Sequence, residues 1–152
     1  MSISGVASAV GRGLLAGAVG TAAMTVSSSL EAKLRSRDPS TAPADAAAKV
    51  LGVKPVDEAA EARFSNLVHW GYGTGWGAVR GLIGATGMPA PAATVAHLAA
   101  VWGNEVVMLP KLDVAPPLPE WEAKEIAIDV FHHAVYAAAT GLAYAYLDRS
   151  RS

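Results

Sequence analysis

The sequence predicts an all-α protein: a four-transmembrane-helix bundle with a partly helical charged loop between helices 1 and 2. Three observations predict it. Charged residues make up 16% of the 152-residue chain, against about 25% in soluble domains. The charge that exists avoids long stretches: residues 13–30, 64–79 and 81–104 carry none, and 126–147 carries Asp129 and two histidines only. No segment shows the period-two alternation of a half-buried strand.

A helix crossing a bilayer needs about 20 mostly apolar residues. The four expected spans are residues 13–29, 66–83, 92–109 and 126–147, within a single integral membrane domain covering 1–152. The first span begins after Arg12 and continues past the length of a signal-peptide core, so it is expected to be retained. It carries Gly13, Gly17 and Gly20. The following segment, 31–63, holds much of the charge. Asp38, Pro39, Ser40 and Thr41 read as a turn, and Pro43 suits the first turn of a short helix that Gly52 stops. Pro55 then starts another helix with Asp57 and Glu58 at its acid-favouring end, and that helix runs on into the second span.

The second span is unusual for its glycines. Gly73, Gly77 and Gly81 recur every four residues and form one strip. Glycine inside a helix costs about 1 kcal/mol against alanine in water. In lipid it lets helix backbones approach closely, so the strip supports a membrane setting. Residues 84–91, Gly-Ala-Thr-Gly-Met-Pro-Ala-Pro, make a tight connection to the third span. Residues 110–119 close the third span. Pro119, Glu120 and Glu122 form a helix-start pattern for the fourth. Trp121 before that span and Tyr144 and Tyr146 at its end fit an aromatic belt, as do Trp70 and Trp102.

Four spans place both termini on one side. The loops at 31–63 and 110–122, with flanking positions, carry Lys33, Arg35, Arg37, Lys49, Lys54, Arg63, Lys111 and Lys124. The terminal side carries Arg12, Arg149 and Arg151, with Arg80 nearby. The basic excess puts the loops in the cytoplasm and makes the chain a multi-pass cell-membrane protein.

Ionisable groups at membrane depth are costly unless paired or hydrated. All four histidines, His69, His97, His132 and His133, fall in expected spans. So do Asn66, Arg80, Asn104, Glu105 and Asp129. Helical spacing gives each helix one polar stripe: Asn66, His69 and Arg80; His97, Asn104 and Glu105; Asp129, His132, His133 and Tyr136. Depth then gathers Asn66, His69, Asn104, Glu105, Asp129, His132 and His133 near the loop side. His132 and His133, about 100° apart on their helix, cannot face one point equally.

Imidazoles and carboxylates suit Zn, Fe or Mn, and Asp129-x-x-His132 matches half of a di-metal helix pattern. His69, Glu105, Asp129 and His132 are the expected ligands of a divalent metal. A haem held by His69 with His132 or His133 is a weaker fit, because carboxylates beside the iron are unusual. Proton transfer along a His/Asp/Glu chain is a third use. The bland reading is a network that fixes helix register.

Several classes drop out. A net charge of −1 argues against nucleic-acid binding driven by phosphate neutralisation. The absence of cysteine excludes disulfides and thiol catalysis. The run Gly71-Tyr72-Gly73-Thr74-Gly75-Trp76-Gly77 follows no strand and lacks the lysine of a phosphate loop, and residues 27–29 lack nucleophile-elbow context.

The stretches from His69 to Gly77, Leu109-Pro110, Asp129 to Tyr136 and Ala16 to Thr21 resemble a group of small polytopic bacterial membrane proteins with no established activity. The resemblance implies a membrane location and no catalytic residues. Two functional readings follow. The first is a non-catalytic membrane subunit or scaffold, partnered by the bilayer and, through its glycine-rich faces, by a second copy or another membrane protein. The second is a proton- or metal-handling membrane protein, in transport or redox, that uses the polar cluster. A soluble bundle with a glycine-rich interior is the competing class.

Overall fold

The computed structural model describes residues 2–38 and 40–149. Pro39, in the expected turn, and Arg151, in the terminal-side charge count, lie outside them. The chain forms α1 (Ile3–Arg35), α2 (Ala42–Leu51), α3 (Glu58–Ala85), α4 (Ala90–Lys111), a single 3-10 turn (Leu118–Glu120) and α5 (Ala123–Arg149), with no strand among the described residues.

Local chemistry sets the helix ends. Ser2 caps α1 by accepting from the Gly5 amide at 3.2 Å, so the helix starts ten residues before the expected span and runs for 33. Asp57 caps α3 by accepting from the Ala60 amide at 2.7 Å. Gly52 ends α2 at φ +66°, a conformation that glycine adopts without steric cost. α5 starts later than Pro119 suggests. Trp121 stays extended, its indole N–H donates to the Pro116 carbonyl at 2.7 Å, and the helix begins only at Ala123.

Three helices, α1, α4 and α5, are long and apolar enough to cross a membrane. The fourth expected span, 66–83, lies within α3. α3 has the length, 28 residues, but its glycines, aromatic residues and polar groups keep its hydropathy below that of the other three.

Helix α1 is the hub, packing against α3 on one side and α5 on the other. A side-chain carbon built on Gly17 would lie 2.7 Å from the Thr74 carbonyl oxygen and 2.8 Å from Gly77 Cα. One on Gly81 would lie 2.8 Å from the Ala9 carbonyl carbon. The two glycine strips thus meet each other inside the chain.

The interior is built mainly from small residues such as Ala9, Ala16 and Ala93, with several polar side chains among them. Its fully buried larger side chains are Arg80, His97, Thr21 and Thr140. The outside is aliphatic: Leu15 is 63% exposed, Val26 69% and Leu142 73%. At the terminal end the Arg80 guanidinium carbon stands 4.6 Å above the Tyr144 ring, and Arg12 pairs with Asp148 at 3.0 Å.

Candidate functional site

A chamber of about 760 Å³ lies among the helices toward the loop side, with α2 forming part of its wall. Its polar part begins on α5. His133 follows Asp129 by one helical turn, and its Nδ1–H donates to the Asp129 carbonyl at 2.9 Å. A carbonyl only accepts, so this bond fixes the tautomer. The Nε2 lone pair of the neutral ring then faces Glu105 Oε2 of α4 at 2.6 Å. Two acceptors at that separation require a proton or a cation between them.

Asp129 is held from a second direction. Trp102, one turn before Glu105 on α4, donates its indole N–H to Asp129 Oδ2 at 2.8 Å. Asp129 Oδ1 stays free of a strong donor, 3.6 Å from His133 Nδ1. Glu105, Asp129 and His133 each offer one donor atom within 4.8 Å of the others'. His133 is buried and the two carboxylates are partly so.

His132 faces elsewhere. Ser27 on α1 donates its hydroxyl to the Met24 carbonyl, so its oxygen accepts from His132 Nδ1–H at 2.9 Å. His132 Nε2 is then a bare acceptor, buried and without a hydrogen-bond partner, 3.8 Å from Glu31 Oε2. His69 is also tied to α1. Thr25 donates to the Thr21 carbonyl and accepts from His69 Nε2–H at 2.7 Å. The group that converges therefore contains His133, where the sequence suggested His132 and His69. Neighbouring helix positions diverge by about 100°, and the α1 hydroxyls hold the other two rings.

Asn66 is exposed on α3 and, like His69, Glu105, Asp129, His132 and His133, lines the chamber. Asn104 does not; it donates to the Tyr72 hydroxyl at 2.8 Å. His97 is deeper and separate, donating Nε2–H to the Trp76 carbonyl at 3.0 Å. Residues that spacing did not single out complete the site: Trp102, Thr25, Ser27 and Tyr72. Trp102 was legible as the residue one turn before Glu105. The hydroxyls of α1 gave no signal, because their role depends on a neighbouring helix.

An ionic latch stands at the loop end. Glu31 accepts from Arg35 at 3.0 Å and from Arg37 at 3.1 Å. Arg35 reaches across to Glu125 at 3.0 Å. Hydrogen bonding to Arg37 holds the Glu31 carboxyl at about 2, well below its usual 4.5. Arg35 likewise lowers Glu125.

No protein family, curated protein or solved structure matches this chain.

The chemistry of the site is that of its donors. One imidazole nitrogen and two carboxylate oxygens suit a divalent first-row transition metal. The Nδ1–H bond to a carbonyl and the indole bond to Asp129 are the outer contacts that orient such ligands. Two tetrahedral ligands at metal–ligand bonds of about 2.1 Å stand about 3.4 Å apart. Glu105 and His133 therefore need to separate by less than an ångström to admit an ion in place of the shared proton.

Proposed function

We propose that the chain is a four-span integral membrane protein, with α3 as the fourth span, that holds a divalent transition metal on Glu105, Asp129 and His133. The loops at 31–63 and 110–122 face the cytoplasm, as the basic excess there suggests. The membrane setting is supported by the reversed distribution of side chains. Arg80, His97, His132 and His133 are inside, while Leu15, Val26 and Leu142 are outside. Soluble proteins show the opposite pattern. The close backbone approach of α1 and α3 supports α3 as a span, because such packing associates helices in lipid.

The observation that carries the metal reading is the aim of His133: Nδ1–H is spent on the Asp129 carbonyl and Nε2 is turned onto Glu105. The scaffold reading loses its main surface, since the glycine strips that would serve a partner cover each other. Glu105, Asp129 and His133 all line the chamber, so an ion held on them would polarise a water or substrate oxygen admitted there.

The test has two parts. Membranes containing the protein are washed with alkaline carbonate, and the chain is expected in the pellet; release by salt or carbonate overturns the spanning reading. Purified protein is then loaded separately with Zn²⁺, Mn²⁺ and Fe²⁺, desalted and assayed by elemental analysis. About one ion per chain is expected, lost in His133→Ala and Glu105→Gln and kept in the outward-facing control Leu142→Ala. Folded wild-type protein that retains none of the three ions overturns the metal reading.

A further inference from the structure

The chamber is much larger than an ion requires. Its volume of about 760 Å³ falls within the roughly 300–1,000 Å³ typical of small-molecule sites. Beyond the histidines and carboxylates its wall is largely apolar, with Ala46, Val50, Val101 and Met108 among the lining residues. A second hollow, of about 580 Å³, lies between α3 and α4. The two hollows share Ala47, Val68, Tyr72, Trp76 and Met108, so one layer of side chains divides them. Beside that layer the second hollow reaches the surface, where Gly71 and Gly75 have nothing within 4 Å of a would-be side chain. The hydrogen bond between Tyr72 and Asn104 spans the gap between the two helices.

We infer that the chamber binds a single-chain amphiphile with a hydroxyl head group, taken laterally from the bilayer between α3 and α4. The polar end of the chamber selects the head. His132 Nε2, the acceptor end of a ring whose Nδ1–H is held by Ser27, is buried without a hydrogen-bond partner, with Glu31 Oε2 no nearer than 3.8 Å. Unsatisfied buried acceptors are costly, and a ligand that donates to them binds in preference to one that cannot. An alkane brings no donor. A fatty-acid carboxylate brings negative charge toward Glu105 and Asp129, and Arg37, a cation of the lining, is already paired with Glu31. A neutral alcohol donates one hydrogen bond and carries no charge into an apolar space. The apolar wall takes the chain, and the thin partition at Tyr72 and Trp76 supplies the way in. The inference rests on the membrane part of the proposed function and does not require the metal.

The test uses metal-stripped full-length protein in phosphatidylcholine nanodiscs, with bromoundecanol brominated at its tail end as the probe. Quenching of tryptophan fluorescence reports binding, since Trp76 lines the chamber. Saturable quenching is expected, with half-saturation about tenfold lower for the bromo-alcohol than for bromoundecane. Ala46→Phe narrows the chamber and is expected to weaken binding about tenfold. His132→Ala removes the bare acceptor and is expected to abolish the preference for the alcohol while leaving the alkane unchanged. Circular dichroism checks that both variants fold, and either one suffices for the comparison. Linear quenching that is equal for alcohol and alkane overturns the inference, as does wild-type behaviour in the folded variants. Tighter binding of the matching bromo-amine overturns the hydroxyl assignment. Failure to bind metal leaves the result readable, and failure of membrane integration is seen separately in the carbonate wash.

Discussion

Gly17 on α1 and Gly77 on α3 approach so closely that a side-chain carbon on Gly17 would stand 2.8 Å from Gly77 Cα. Neither helix can turn or withdraw at this point without opening the contact. Replacing Gly17 by leucine puts a branched side chain against backbone atoms, which do not yield as a flexible side chain does. Overpacking of this kind costs about 1–3 kcal/mol and sometimes more. Gly17→Leu is therefore expected to lower stability by at least about 2 kcal/mol, within the range known for overpacked cores. Gly75→Leu, at a position with open space, is expected to be close to neutral. Unfolding titrations in detergent compare the two, and equal effects count against the packing account.

Trp102 bears on the metal through Asp129. Its indole N–H holds Oδ2 at 2.8 Å and leaves Oδ1 for an ion. Losing such an outer contact typically lowers metal affinity about 10–100-fold. Trp102→Phe is expected to weaken binding within that range while the thermal midpoint of metal-free protein changes little. Unchanged affinity in competition with a coloured chelator argues against Asp129 as a ligand.

The latch at the loop end gives a pH dependence of definite sign. The Glu31 carboxyl is held at about 2 in the folded chain, against 4.5 unperturbed. A depressed carboxyl contributes stability that is fully present above the unperturbed value and fades as pH falls through the folded one. Thermal midpoints are expected to hold from pH 7 to about 5 and to decline between about 4.5 and 2. Glu31→Gln is expected to flatten that decline. A variant whose acid profile matches the wild type removes the latch from the explanation.

Arg80 has two guanidinium nitrogens, Nε and Nη1, buried without a hydrogen-bond partner, and it rests on the Tyr144 ring. Replacing a buried charge with an apolar side chain of similar volume is often neutral or stabilising, by up to about 4 kcal/mol. Arg80→Met is expected to keep or raise the unfolding midpoint, and Arg80→Ala to lower it by leaving a void. A strong loss in Arg80→Met shows that the charge itself holds the terminal end together.

Helical class, low-charge helices, the short α2 with its Gly52 stop and the two glycine strips were legible in the residues alone. These follow from spacing along one chain, where periodicity, caps and turn residues act locally. The sequence also named the titratable residues from which a polar group could be drawn, because such residues in apolar helices are few, but it did not mark Trp102, Thr25 or Ser27, which hold them. Tertiary structure decided which members meet. The period of a helix places His132 and His133 about 100° apart but does not say which of them faces α4. That choice falls to the α1 hydroxyls, which hold His132 and His69, and to α4, which brings Glu105 and Trp102 to His133 and Asp129. The same limit applies to the glycine strips. Spacing exposes a smooth face, and only the rotation of α1 against α3 shows that the face is already occupied. Rotation about a helix axis is set by contacts distant in sequence, and local spacing carries no record of it.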